Sequence, residues 1–312
     1  MSEYKEEAGF EIIEEDDGMP EGSYEDCGCG GSCGGGCGDC DCGGDCGGCG
    51  GGCGGAQDFS APAHPMSHVR RVIGVVSGKG GVGKSLITSL SAVMMNRKGF
   101  RSAVMDADMT GPSIPMAFGV HSRAQANANG ILPTMTEKGI GIMSVNLFLE
   151  EETEPVIWRG AIVANTVKQF WTDVVWGDVD YMFVDMPPGT GDVPLTIFQS
   201  LPVDGIIVVA SPQDLVGMIV TKAVRMAQMM NVPILGIVEN MSWFLCDKCG
   251  EKHYIYGKSR LEEVAAQYGL EVLGRLPIRP DIAASVDAGK IEDVDFPEME
   301  AVAAAIAEKL PL

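Results

Sequence analysis

Glycine, lysine and serine stand together in Gly78-Lys-Gly-Gly-Val-Gly-Lys-Ser85, directly after an apolar, β-branched run from Arg71 to Ser77. The run predicts a buried parallel strand, and the segment after it fits G-x-x-x-x-G-K-[ST] at the start of a helix. Glycines let backbone N–H groups wrap a phosphate, Lys84 can reach the β- and γ-phosphates, and the Ser85 hydroxyl can ligate Mg²⁺. A glycine-rich connecting turn is the alternative. The pattern predicts an ATP site built from Gly78, Lys79, Gly80, Gly81, Val82, Gly83, Lys84, Ser85 and Leu86.

A second apolar run ends in an acid, at Val184-Asp185, and continues as Met-Pro-Pro-Gly-Thr-Gly-Asp192. Asp185 is placed to hold the hydration shell of Mg²⁺, and Gly189 would let the loop backbone approach the γ-phosphate. Such a loop would order with ATP and relax after hydrolysis. The alternative is that Asp185 caps the N-terminus of a helix.

The extra lysine, Lys79, makes the glycine-rich loop resemble the deviant Walker A family of dimeric ATPases, which includes the nitrogenase iron protein and the Min and Par partitioning ATPases. The resemblance implies a homodimer in which Lys79 acts on the phosphates of the other subunit. Asp106-Ala-Asp108 resembles the same family's first switch, which implies that Asp106 holds a magnesium-bound water and Asp108 orients the attacking water. Asn240 matches the position whose amide reads adenine there. The resemblance thus implies catalytic Lys79 and Asp108, with Ser85, Asp106 and Asp185 around magnesium.

Each of these residues also has a simpler interpretation. Lys79 could be a solvated loop charge. Asp106 and Asp108 could be turn formers before Gly111-Pro112, and Asn240 could be a plain turn asparagine.

Cys246 and Cys249 form a C-x-x-C pair in a loop rich in aromatic residues, and they are the only cysteines after residue 60. A tetrahedral zinc site or a cubane cluster needs about four protein ligands, so the pair is half a site. A second subunit, the N-terminal tail or His253 could supply the rest. A symmetric dimer is the simplest solution. A zinc knuckle and a thioredoxin-like redox pair are the alternatives.

Taken together, the motifs resemble the Mrp/ApbC family of iron–sulfur cluster carrier ATPases, over essentially all of residues 69–312. That resemblance implies a slow ATPase that bridges a [4Fe–4S] cluster between the cysteines of two subunits and passes it to apo iron–sulfur proteins. Trp243 and Phe244 would shield the cluster. A partitioning ATPase and an electron-transfer ATPase are the alternatives. The motifs are the loop at 78–85, DADMTGPSIP at 106–115, Trp158-Arg-Gly160, DMPPGTGD at 185–192, SPQD at 211–214, ENMS at 239–242 with its cysteines, and LPIRPD at 276–281.

Composition separates an N-terminal tail from this domain. Residues 1–60 hold fifteen Asp and Glu against one Lys, with nine of the eleven Cys and 19 of the 42 Gly. Self-repelling charge and few large apolar residues predict disorder unless metal folds the segment. We expect a tail at 1–60, a linker at 61–68 and a P-loop ATPase domain at 69–312.

The tail cysteines punctuate a Gly/Asp run, and Cys37, Cys40, Cys46 and Cys49 are candidate metal ligands. The tail looks like a denser version of the second, N-terminal cluster site of eukaryotic cytosolic scaffold relatives. A metal or cluster relay, a zinc-binding tail and a plain linker all fit the spacing.

Charge and hydropathy restrict the partners. The chain carries a net charge of −21 with dispersed basic residues, so no basic stripe for nucleic acid is expected. No signal peptide or membrane-length apolar run is evident, and a cytoplasmic location is expected, where reduced thiols favour metal over disulfides.

The order of apolar runs predicts the fold class. Strands are expected at residues 71–77, 102–106, 140–146, 181–185, 205–210, 234–239 and 271–276, separated mostly by helical stretches. Such alternation predicts a doubly wound α/β domain of the P-loop NTPase type with a mostly parallel sheet. Ligands bind such sheets beyond the carboxyl ends of the strands, where the motifs above fall.

Overall fold

A computed structural model of the chain describes residues 60–109, 111, 113–149, 160–189, 192–212 and 216–312. Residues 1–59, with all nine tail cysteines, lie outside the described residues, as do Trp158 and Arg159. The expected domain boundaries and tail ligands therefore stay predictions.

The described chain alternates between strands and helices. The strands are β1 His68–Ser77, β2 Ser102–Asp106, β3 Gln125–Asn127, β4 Gly130–Leu132, β5 Thr134–Met135, β6 Gly141–Met143, β7 Asp178–Asp185, β8 Gly205–Ala210, β9 Ile234–Glu239, β10 Phe244–Leu245, β11 Lys252–His253 and β12 Val272–Arg275. The helices are α1 Lys84–Arg97, α2 Ile114–Ala117, α3 Gly160–Thr172, α4 Asp192–Ser200, α5 Val216–Met230, α6 Leu261–Gln267, α7 Pro280–Asp287 and α8 Glu298–Lys309, with 3-10 turns at Val145–Phe148 and Ile291–Asp293.

Eight strands form one sheet in the order β12-β9-β8-β1-β7-β2-β6-β5. Neighbours pair in parallel, apart from β5, which runs antiparallel to β6. Most residues of the central strands are buried, as expected when helices flank a parallel sheet. The predicted fold class, a doubly wound and mostly parallel sheet, is confirmed.

The strand order places the acidic strand ends beside the glycine-rich loop. Strand β1 lies between β8 and β7, and β7 lies between β1 and β2. Asp106, the last residue of β2, pairs with Asp185, the last residue of β7. Three consecutive strands of the sheet therefore deliver the loop and both acids to one edge.

The predicted strand at 140–146 is too long. The strand ends at Met143, and a 3-10 turn follows over Val145–Phe148. The buried Ser144 between them donates a hydrogen bond to Asp106, 3.0 Å away. Two short hairpins, β3–β4 and β10–β11, were not predicted, because strands of two or three residues leave no periodic pattern. None of the described helices has the length and apolarity needed to cross a membrane.

Candidate functional site

The loop between β1 and α1 makes a turn that requires glycine at two positions. Gly81 and Gly83 have φ of 77° and 83°, in the left-handed region. Gly83 is also the N-cap of α1, so the loop leads directly into the helix N-terminus. A side-chain carbon added at Gly81 would meet nothing within 4 Å, so the space over the loop is open. Open backbone at a helix N-terminus is suited to phosphate.

Lys84 lies under this space as a buried ammonium group. Its Nζ is 2.8 Å from Oδ2 of Asp185 and 3.3 Å from Oδ2 of Asp108, and its side chain is 5% exposed. These contacts are ion pairs without hydrogen-bond geometry, which leaves the buried Nζ unsatisfied among the described residues. A buried donor of this kind favours an additional acceptor, and a phosphate oxygen would satisfy it.

Asp185 collects the polar groups of the first turn of α1. Its Oδ2 accepts a hydrogen bond of 2.6 Å from Ser85, and its Oδ1 accepts one of 2.7 Å from Thr88. Sequence reasoning missed Thr88. The signal was its position one turn after Lys84, which puts both residues on one helix face.

Asp106 is the second buried acid. It accepts hydrogen bonds from Ser144 and from the backbone N–H of Asp108, the latter at 3.1 Å. Burial and the charge of Asp185 raise the pKa of Asp106 well above its usual value. A divalent cation would favour the ionised carboxylates, and an oxygen-rich donor set of two carboxylates and a hydroxyl is what Mg²⁺ binds. The residues present therefore fit magnesium and a nucleotide phosphate.

A cavity of about 360 Å³ opens over these groups. It brings the glycine-rich loop together with the segment after β2 and with Pro188 from the loop after β7. Val286 of α7 also lines it, and no motif pointed to that residue. Lys79 is half-buried, is not among the residues that line this cavity, and its carbonyl accepts a hydrogen bond from Ser77. The lining is Ser77, Gly80, Gly81, Gly83, Lys84, Ser85, Leu86, Ser89, Asp108, Gly111, Ser113, Ala117, Pro188 and Val286.

Asn240 follows β9 and touches the glycine-rich loop from below. Its side-chain Nδ2 donates a 2.9 Å hydrogen bond to the carbonyl of Val82, and its Oδ1 accepts one from the backbone N–H of Met241. The side chain is buried, and a methyl group added at Gly83 would overlap its amide nitrogen. Asn240 therefore fixes the loop in this structure, and its role toward adenine stays a prediction.

Cys246 and Cys249 lie at the turn of the β10–β11 hairpin. The Cys246 N–H donates to the carbonyl of Glu251 at 2.9 Å, and the Gly250 N–H donates to the carbonyl of Cys246 at 2.8 Å. Backbone N–H groups of Cys249 and Lys248 donate to the Cys246 sulfur and lower the pKa of its thiol. His253 joins the pair, because one ligand atom from each of the three residues lies within 4.8 Å of the others. The hairpin thus presents two thiols and an imidazole at one point.

The surroundings of the hairpin are partly apolar and open to solvent. Trp243 and Phe244 are half-buried, and the Lys252 ammonium lies 4.2 Å from the Trp243 ring centroid. Cys249 is exposed and Cys246 is partly exposed. The four most exposed apolar neighbours in the segment are Leu245, Tyr254, Ile255 and Tyr256.

Comparison with known proteins places this architecture in a family. The protein-family model described as "ParA: NUBPL iron-transfer P-loop NTPase" matches residues 68–310 of this chain. The chain belongs to this family. The iron–sulfur cluster carrier protein of Clostridium perfringens is 42% identical over 234 residues, covering 72% of this chain and 82% of its own. The iron–sulfur cluster transfer protein NUBPL of Mus musculus is 40% identical over 228 residues, covering 72% and 71%.

Solved structures agree with this assignment. The nucleotide-binding protein of Archaeoglobus fulgidus, solved in complex with ADP and with cobalt found by PIXE, is 38% identical with a TM-score of 0.67. The match covers 74% of this chain and 91% of that one. The MinD cell division protein of Aquifex aeolicus, at 18% identity and a TM-score of 0.53, shares the fold. The expected P-loop NTPase fold and the expected iron–sulfur carrier family are both confirmed.

Proposed function

We propose that the protein is an ATP-dependent carrier that binds a [4Fe–4S] cluster between two copies of the chain and transfers it to apo iron–sulfur proteins. The proposal depends on one observation: a single domain contains both a glycine-rich loop with a buried lysine and open space over it, and a solvent-accessible C-x-x-C hairpin. The identities of 38–44% to iron–sulfur cluster carrier proteins support it.

The nucleotide half of the proposal rests on groups that are already in position. Lys84 would exchange part of its contact with Asp185 for the β- and γ-phosphates, which satisfies its buried Nζ. Magnesium, when bound, would neutralise phosphate charge and offset the repulsion between Asp106 and Asp185. Ser85 would then turn from Asp185 toward the ion. Asp108 would orient the attacking water, and Lys79 of the other subunit would neutralise developing charge.

A short stretch of chain connects Asn240, which contacts the glycine-rich loop, to the cysteines. Asn240 holds the carbonyl of Val82, and Cys246 follows only six residues later. Two main-chain hydrogen bonds join the intervening backbone to the segment after β12. The Ser242 N–H donates to the carbonyl of Leu276, and the Ile278 N–H donates to the carbonyl of Trp243. If nucleotide binding moves the glycine-rich loop, Asn240 would move with it, and the short, hydrogen-bonded segment that follows would shift the base of the hairpin.

Glu239 anchors the start of that connection. Its carboxylate is 1% exposed, accepts hydrogen bonds from Ser242 and Ser259, and lies 3.4 Å from Nε of Arg275. A buried carboxylate with three partners holds its neighbours in fixed positions. The connection would thus move as a unit, which couples nucleotide state to the geometry of the cysteines.

The cargo half of the proposal requires two protomers. Each described domain offers two thiols, and a cubane cluster needs four ligands. Two copies related by a two-fold axis would supply four. Exposed thiols suit a cluster that is handed to a client, because solvent and partner ligands can reach it. We place this activity in the cytoplasm, in keeping with reduced thiols.

The test is anaerobic reconstitution of the full chain with iron and sulfide. We expect a brown, dimeric protein in which Cys246→Ser with Cys249→Ser removes the cluster of the folded domain. Because the tail could bind its own cluster, the same pair should also be changed in a chain whose nine tail cysteines are serine. A tail-substituted protein that stays colourless and monomeric with ATP would refute the proposal.

Transfer separates the carrier from the other ATPases with this fold. Loaded protein should pass its cluster to an apo acceptor that requires [4Fe–4S] and restore the acceptor's activity. A cluster that stays bound through repeated oxidation and reduction, with no gain of acceptor activity, would indicate an electron-transfer ATPase instead.

A further inference from the structure

We propose that Cys246, Cys249 and His253 bind one thiophilic divalent metal ion within a single protomer, as a state separate from the bridging cluster. The proposal rests on the proposed function, since it concerns the same cysteines, and it adds an imidazole ligand and a second kind of occupant. It follows from the hairpin, which gathers three metal-binding side chains without help from another chain.

The distances are close to those of a bound ion. The three ligand atoms lie within 4.8 Å of one another. Around a tetrahedral ion bonded at about 2.0–2.3 Å, neighbouring ligand atoms are about 3.3–3.8 Å apart. Rotation of the exposed Cys249 and His253 side chains and of the partly exposed Cys246 can close a difference of about 1–1.5 Å without a change of backbone.

The backbone of the hairpin fixes which residues meet. Phe244 pairs with His253 and Leu245 pairs with Lys252. Gly250 has a φ of 71°, which permits the tight turn after Cys249. All three ligands therefore come from eight consecutive residues, 246–253, whose pairing is set by main-chain hydrogen bonds. One chain supplies three of the four ligands that a tetrahedral ion needs.

The donor set selects the class of metal. Two thiolates and an imidazole favour Zn²⁺, and they also bind Fe²⁺ and Co²⁺, whereas Mg²⁺ and Ca²⁺ prefer oxygen. Three protein ligands leave one coordination position open, as in zinc sites that exchange their fourth ligand. A single ion would cover the two thiols of a protomer when no cluster is present, and it would have to leave before four thiols from two protomers bind a cubane.

Histidine provides a specific signal, because the chain has four histidines and none lies in residues 1–60. The experiment uses the full chain with its nine tail cysteines changed to serine, labelled with ¹⁵N in the histidine rings and kept anaerobic. Zn²⁺ is added, ring nitrogen shifts are followed by NMR, and affinity is measured by competition with a chromophoric chelator. His253→Ala is the test variant, and His68→Ala, on an exposed side chain at the start of β1, is the matched control.

We expect one zinc ion per protomer and a large shift of one ring nitrogen, from the signal that is missing in His253→Ala. That variant should bind zinc at least about 100-fold more weakly, since loss of a supporting contact alone weakens metal sites by about 10–100-fold. His68→Ala should bind like the parent. Thermal unfolding of each variant checks that the fold is intact.

Two results would overturn the proposal: zinc that binds while all four histidine signals stay in place, and His253→Ala that keeps the parent's affinity. Reconstitution with iron and sulfide separates the two proposals. A parent that binds zinc through His253 but forms no cluster contradicts only the carrier function. A parent that forms a Cys246/Cys249 cluster but binds zinc without His253 contradicts only the single-ion site.

Discussion

Replacing Lys84 by methionine tests whether the buried ammonium stabilises the nucleotide-free protein, in addition to its proposed role in binding phosphate. In the structure Lys84 lies between Asp185 and Asp108, and Asp106 is close enough to Asp185 for their charges to repel. Methionine keeps much of the apolar side chain and removes the charge. The carboxylates would then face each other without a cation.

The expected loss can be worked out from burial. Removing one partner of a buried ion pair destabilises a protein by about 3–5 kcal/mol. Asp185 keeps two hydroxyl donors here, Ser85 and Thr88, so we expect the lower end, about 3 kcal/mol. For a domain of this size that loss corresponds to a fall in Tm of about 6–12 °C.

The loss should depend on pH in a defined direction. Lys84 is one of the groups that keeps the pKa of Asp106 from rising further. Without the lysine that pKa rises, and the folded protein binds a proton more tightly than the unfolded chain does. The stability of the variant then falls as the pH rises toward the pKa that Asp106 has in the folded protein. The loss of stability caused by Lys84→Met should therefore be smaller at acidic pH than at neutral pH.

The assay is urea unfolding of protein free of nucleotide and magnesium, at neutral and acidic pH. Lys79→Met is the matched control, because it removes the other lysine of the loop, and its effect on stability should be less than half as large. The control should still bind ATP but hydrolyse it slowly. If Lys84→Met unfolds within about 0.5 kcal/mol of the wild type at neutral pH, a value typical of surface changes, then the buried ion pairs are not formed in solution.

Three further predictions concern the acids and the two loops. Asp106→Asn should raise the Tm of the nucleotide-free protein at neutral pH, because it removes a buried charge whose pKa is raised, and should reduce the Tm gain on adding Mg-ATP; an unchanged gain would contradict a role near magnesium. Gly83→Ala should lower stability by at least about 1–2 kcal/mol because of its φ of 83°, and Asn240→Ala should cost less in the Gly83→Ala variant than in the wild type, because it also removes the overlap; urea unfolding of the single and double variants measures both effects. Gly250→Ala should weaken zinc binding and leave ATP affinity unchanged in equilibrium titrations; equal losses would contradict a local role for the turn.

The sequence predicts the sheet well where strands are long and buried. The bounds of β2, β8 and β9 agree with the expected runs, because continuous apolar residues between turn formers leave little choice of structure. The expected strand at 140–146 ends at Met143; Ser144 is still extended, and its hydroxyl donates to Asp106 at the end of the paired strand β2 before the 3-10 turn begins at Val145. That contact depends on the tertiary arrangement, and no local pattern contains it.

The candidate site divides in the same way. Motif residues such as Lys84, Asp106 and Asp185 could be named, because each motif reports a local geometry that the chemistry requires. Their mutual contacts could not, since the order of β1, β7 and β2 in the sheet decides which acid meets the lysine. Val286 enters the cavity from a helix about two hundred residues away from the loop, and neither its residue type nor its neighbours mark it.

Under the carrier function proposed above, the β10–β11 hairpin offers client proteins a way to distinguish loaded protein from empty protein. It contains two residue pairs, and a single bridge from Phe244 to Ile278 joins it to the segment after β12, so few main-chain contacts hold it in place. An ion or cluster bound to Cys246 and Cys249 would hold the turn of the hairpin in place. We therefore expect amide hydrogen exchange over residues 244–253 to be fast in the empty protein and slow in the loaded one. A client that docks on a rigid hairpin would then avoid unproductive encounters with carriers that have nothing to deliver.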